Sequence, residues 1–180
     1  MKKYWLCCLL VWTSVNFTNA QSALEEWEGI YEGDMVIGFT ERPNDSLHVR
    51  FEMLPLEKEA SWTYKMIYNS KRYGEIIKDY IIYQDGEGDK NFILDEKDGI
   101  LIEMSLMNNC FYEMFEVMEQ LFATTLCKDG DSLRFDLAVS LKKKKRVSTT
   151  EPEGDEDPIE VISYKPTQHQ TVILHRIDVE

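Results

Sequence analysis

The feature that most restricts the fold of this chain is a rhythm. Short runs of alternating apolar and polar residues recur about every ten positions, each ended by a turn signal. Leu47, Val49, Phe51 and Met53 alternate with His48, Arg50 and Glu52; Trp62, Tyr64, Met66 and Tyr68 alternate with Thr63 and Lys65. Leu133, Phe135, Leu137 and Val139 alternate with Arg134, Asp136 and Ala138. Successive side chains of a strand point to opposite faces, so each run reads as one half-buried strand. Between the runs lie Arg42-Pro43-Asn44-Asp45, Asn69-Ser70-Lys71, Asp85 to Asp89, Asp98-Gly99, Asn108-Asn109 and Lys128 to Asp131, all built from turn-forming residues. Short connections make consecutive strands antiparallel neighbours. The pattern predicts an all-β, up-and-down antiparallel meander of about ten strands, and twist closes a sheet of that size into a barrel. A two-sheet sandwich would need more long crossings than the one visible here.

Residues 22–28 suit a single helical turn capped by Ser22, and the first strand is expected from Ile30 to about Phe39. A strand from Tyr73 to Tyr83 is apolar on both faces, with Ile76, Tyr80 and Ile82 opposed by Ile77 and Ile81. Such a strand predicts outside cover or an oligomer interface on the Ile77/Ile81 face. Further on, Lys142 to Arg146 is basic, Glu151 to Asp157 is mostly acidic, and Pro152, Gly154 and Pro158 interrupt pairing. This break predicts a long charged surface loop at 141–159 within a single domain spanning 21–180.

One segment reads two ways. Phe111, Met114, Phe115, Met118, Leu121 and Phe122 have helical spacing, while Thr124, Thr125 and the neighbouring hairpins favour a hairpin turning at Met118-Glu119. A two-residue loop there pairs positions whose numbers sum to 237, which sets Cys110 opposite Cys127. The hairpin therefore predicts a disulfide between them, if the pair is of the non-hydrogen-bonded kind, and the helix predicts none.

Lys2 and Lys3, an apolar run from Tyr4 to Val15 and the small residue Ala20 form a secretory signal peptide over residues 1–20. Cleavage near Ala20 leaves a secreted or periplasmic chain, and no later stretch is long and apolar enough for a spanning helix. Removing two lysines takes the net charge from −13 to −15. Nucleic-acid phosphates and anionic membranes both disfavour such a partner. Neither the basic run nor the acidic run has the context of a heparin patch or a calcium loop.

Trp27-x-Gly29-x-Tyr31-x-Gly33, at the head of an up-and-down meander, resembles the calycin group: lipocalins, fatty-acid-binding proteins, avidins and nitrobindins. The resemblance implies a lipocalin-like barrel with Trp27 plugging one end and a small apolar or amphipathic ligand in the lumen. Around His169 and His175 the last strand is similar to the closing strand of nitrobindins, which would make one of these imidazoles a haem ligand.

The chain carries no HExxH, GxSxG or phosphate-loop motif, so a binding protein without a catalytic role or obligate cofactor is the expectation. Lumen candidates on the inward parity are Trp27, Tyr31, Met35, Phe51, Met53, Trp62, Tyr64, Met66 and Phe135. Two functions divide on how full the barrel is. A lumen of roughly 300 Å³ or more favours a ligand, and a filled core favours a structural or interaction protein.

Overall fold

The computed structural model describes residues 24–178 except 59, 73, 87–89 and 152–156; the Lys144 side chain is also outside the description. The signal segment, the cleavage position, the Ser22 cap and most of the acidic run lie outside the described residues. A 3-10 turn, Glu25–Trp27, leads into ten strands. They are β1 Gly29–Phe39, β2 Asp45–Met53, β3 Ser61–Ser70, β4 Gly74–Gln84, β5 Asn91–Asp95, β6 Leu101–Met107, β7 Cys110–Val117, β8 Gln120–Asp129, β9 Ser132–Thr149 and β10 Glu160–Ile177. Every strand pairs antiparallel with its sequence neighbours, and β10 pairs back onto β1 to close the barrel. The expected meander and closure are both present.

The closing seam explains one glycine. At Gly33 on β1, an added Cβ would collide with the Ile173 carbonyl oxygen of β10 and reach the Val172 side chain at 3.0 Å. Only a residue without a side chain lets the first and last strands approach this closely.

The ambiguous segment is a hairpin. Met118 and Glu119 both adopt positive φ, 48° and 63°, which is the two-residue turn that matches strand twist. Its register pairs Val117 with Gln120 and Cys110 with Cys127, and the two cysteines form a disulfide with a Cα–Cα distance of 4.0 Å. The Lys128 amide donates to the Asn109 carbonyl in the adjoining pair, so the cysteines occupy the closer, non-hydrogen-bonded site. Closing a loop with a sequence separation of 17 stabilises the fold by about 3 kcal/mol in the chain-entropy account.

The long loop expected at 141–159 is a correction. Strand β9 continues through the basic run to Thr149 and pairs with β10 from Glu160↔Thr149 to Tyr164↔Lys145. The two strands form a ribbon that rises beyond the barrel rim. Both its faces are wet, so no inward face imposes the apolar alternation that marks a buried strand. After the ribbon, β10 runs unbroken to Ile177, with register shifts around Pro166, which has no amide to donate.

Candidate functional site

In an up-and-down barrel, alternate connections lie at the same end. The chain entry and the β2–β3, β4–β5, β6–β7 and β8–β9 connections form one end; the other end carries the remaining connections and the β9–β10 ribbon. The two ends differ in filling.

The entry end is solid. Trp27 is 3% exposed and its ring meets Phe111 edge-on at 5.0 Å, with Phe92 against Phe111 at 5.2 Å. Tyr31, Met35, Phe51 and Met53 are fully buried, and Trp62 donates its indole N–H to Glu28 at 2.9 Å. The Tyr31 hydroxyl donates to the Trp27 carbonyl at 2.9 Å and accepts from Arg176 at 2.9 Å. Each buried polar group of this plug has a partner, which is the condition for burying it cheaply.

Toward the other end the interior opens into a cavity of about 360 Å³. Of the lumen candidates, Tyr64, Met66 and Phe135 reach it, while Trp27, Tyr31, Met35, Phe51, Met53 and Trp62 belong to the filled half. Sequence reasoning missed most of the wall: Tyr68 from β3, Tyr80 from β4, Glu113 and Phe115 from β7, Phe122 and Thr124 from β8. Phe115 and Phe122 stack at 4.9 Å.

The polar groups of this half are unlike those of the plug. Glu113 is 7% exposed, and its carboxylate oxygen Oε2 is buried without a hydrogen-bond partner. Burial pushes its carboxyl up to about 7; a hydrogen bond from Thr124 opposes this, and the charge of Glu96 adds to it. Burial also pushes the Tyr68 hydroxyl up to about 12, and Tyr64 and Tyr80 above their ordinary range. All three tyrosines therefore remain donors at neutral pH. Tyr68 donates to the Met66 sulfur at 2.9 Å, and Tyr80 bonds Glu96.

The histidines correct the haem alternative. His169 faces outward beside Asp136 at 3.3 Å, and His175 faces outward beside Ser132 at 3.1 Å. His48, the third in the chain, pairs with Asp34 on the outer surface. No imidazole lines the cavity, so the histidine-ligated haem that the nitrobindin resemblance implied has no ligand there. The inward parity of β10 is carried by Val172 and Leu174, which puts His169 and His175 on the other face. On β4, Ile77 is exposed and Ile81 half-buried on the outer face.

No family profile and no curated protein matches the sequence. Solved structures do share its shape. An S-type phycobiliprotein lyase from Guillardia theta superposes with a TM-score of 0.60 at 6% identity, over 87% of this chain and 92% of that one. A protein of unknown function of the DUF3598 family from Nostoc punctiforme gives 0.56 at 10% identity, over 87% and 49%. Rv2717c from M. tuberculosis gives 0.52 at 12% identity, over 87% and 96%. At these identities the likeness concerns the fold alone, a closed barrel of antiparallel strands.

Proposed function

We propose that this protein is an exported, lipocalin-like carrier that holds a small apolar or amphipathic molecule in the open half of its barrel, without transforming it. One observation carries the reading: about 360 Å³ of lumen with aromatic and aliphatic walls and a few convergent polar groups, the usual make-up of a small-molecule site. Export is supported by the basic-then-apolar start of the sequence and by the Cys110–Cys127 disulfide, a bond suited to oxidising compartments. That a phycobiliprotein lyase uses a barrel of this shape is consistent with a ligand-handling lumen.

The test is titration with the neutral apolar dye N-phenyl-1-naphthylamine, read by fluorescence. Saturable one-to-one binding is expected, and Leu137→Trp, which fills the cavity from β9, should abolish it. Absence of binding, or binding indifferent to Leu137→Trp, would overturn the lumen as the site. Native mass spectrometry of the exported chain reads the address: a mature start near Gln21 and a mass lower by two hydrogens for the disulfide.

A further inference from the structure

The plug and the cavity share one wall, yet among the described residues only the cavity holds a buried side-chain polar atom without a partner. On β7 the inward parity reads Phe111, Glu113, Phe115 and Val117, a single acid in an apolar row. Glu113 is more than nine-tenths buried, Thr124 across the hairpin donates to its carboxylate, and Oε2 is left unbonded. A carboxylate oxygen buried without a partner is costly, so a group that completes it binds with that cost recovered.

Resting on the lumen-carrier reading above, we propose that Glu113 anchors the ligand and selects an ammonium group attached to an apolar body of about ten carbons. Three features of the site specify that chemistry. Of the two other charged groups on the wall, Lys78 and Glu96, it is Glu96 that acts on Glu113, and it is also negative, so a second anion beside them would be repelled. The rings of Phe115, Phe122, Phe135 and Tyr64 line the same space, and an aromatic ring attracts a cation brought over its face. The described residues contain no cluster of three or more His, Cys, Asp or Glu that would hold a metal ion instead. The titratable groups facing the site are Tyr64 and Tyr68 from β3, Lys78 and Tyr80 from β4, and Glu96 after β5. Lys78 is exposed at the rim, and the three tyrosines stay neutral donors. Binding an ammonium group to Glu113 requires the carboxylate form. Any proton held there in the free protein leaves to solvent, so affinity rises with pH up to neutrality.

The test compares decylamine, decanol and decanoate by calorimetry at pH 8, on the wild-type chain and on Glu113→Gln. The amine should bind about tenfold or more tighter than the alcohol, and decanoate weakest, given the strength of charge-assisted hydrogen bonds. Glu113→Gln should remove the amine's advantage and change decanol affinity less than about threefold, because glutamine keeps the shape and loses the charge. Wild-type decylamine affinity should fall when the titration is repeated at pH 5.5. Equal affinities for the three probes, preference for decanoate, or an amine advantage that survives Glu113→Gln would overturn the role of Glu113 and leave the carrier reading standing. Failure of all three probes to bind would overturn both. The wild-type ranking alone decides the matter should the variant fold poorly.

Discussion

The filled and open halves of this barrel are made from the same strands and the same inward parity, and they differ in how their polar atoms are satisfied. In the filled half, Tyr31 both donates to Trp27 and accepts from Arg176, and Trp62 reaches Glu28. In the open half, Glu113 keeps a buried oxygen unbonded, and Tyr68 has only a methionine sulfur. A sulfur is a weak acceptor, so this end is incompletely satisfied by the chain itself. The first half is organised for stability, and the second tolerates cost where a ligand could repay it.

The largest expected separation comes from truncating one aromatic in each half. Trp27→Ala removes the buried ring that packs the entry turn against Phe111 of β7 and should cost about 3–5 kcal/mol of unfolding free energy. Phe122→Ala widens a space that is already open, so little new cavity forms, and the loss should stay below about 2 kcal/mol. Urea unfolding of both variants checks this. Equal losses would break the contrast, because they would mean that the mouth is packed as tightly as the plug.

Glu113 sharpens the same contrast through pH. Its folded carboxyl keeps its proton up to about 7, whereas the unfolded chain releases it near 4.5. Between those values the folded state binds more protons, so this group's contribution to stability falls as pH rises and levels off above 7. Glu113→Gln has no such titration. The variant should match the wild type near pH 4.5 and exceed it at pH 8 by up to about 3 kcal/mol, the linkage equivalent of the shift. Thermal unfolding of both proteins across pH 4.5–8 measures the gap. A gap independent of pH would mean that Glu113 has a partner in the free protein.

Much of this was legible in the sequence, for physical reasons that also mark where it stopped. Alternation at Leu47–Met53, Trp62–Tyr68 and Leu133–Val139 reveals strands because one face of each is dry and the other wet. The turn at Met118-Glu119 fixed a register, and through it the pairing of Cys110 with Cys127. That same register sets Glu113 opposite Thr124, both on the inward face, and a single acid among Phe111, Phe115 and Val117 was a signal open to reading. It stayed hidden behind aromatic residues, which dominate any search for a lumen by hydrophobicity. The ribbon from Leu141 to Thr149 left no such trace, because a strand pair with two solvated faces needs no alternation. Nor could parity tell filled from open, since Tyr31 and Tyr64 look alike in sequence and only Tyr64 reaches the cavity.

The finest test sets one tyrosine of each half against the other, Tyr31 in the plug and Tyr68 at the cavity. Tyr31→Phe leaves the Trp27 carbonyl without its donor and Arg176 without its acceptor inside a packed plug, and should cost about 1–3 kcal/mol. Tyr68→Phe removes a hydroxyl whose bond is to the Met66 sulfur at the edge of an open cavity, and should change stability by less than about 1 kcal/mol. The small effect at Tyr68 is the informative one, because a residue that contributes little to folding can still orient a bound molecule. If Tyr68→Phe leaves the melting temperature in place while weakening decanol binding, the hydroxyls of the open half serve the ligand. If it destabilises as much as Tyr31→Phe, the Tyr68 hydroxyl is part of the scaffold, and the division between the two halves lies closer to the rim than the cavity suggests.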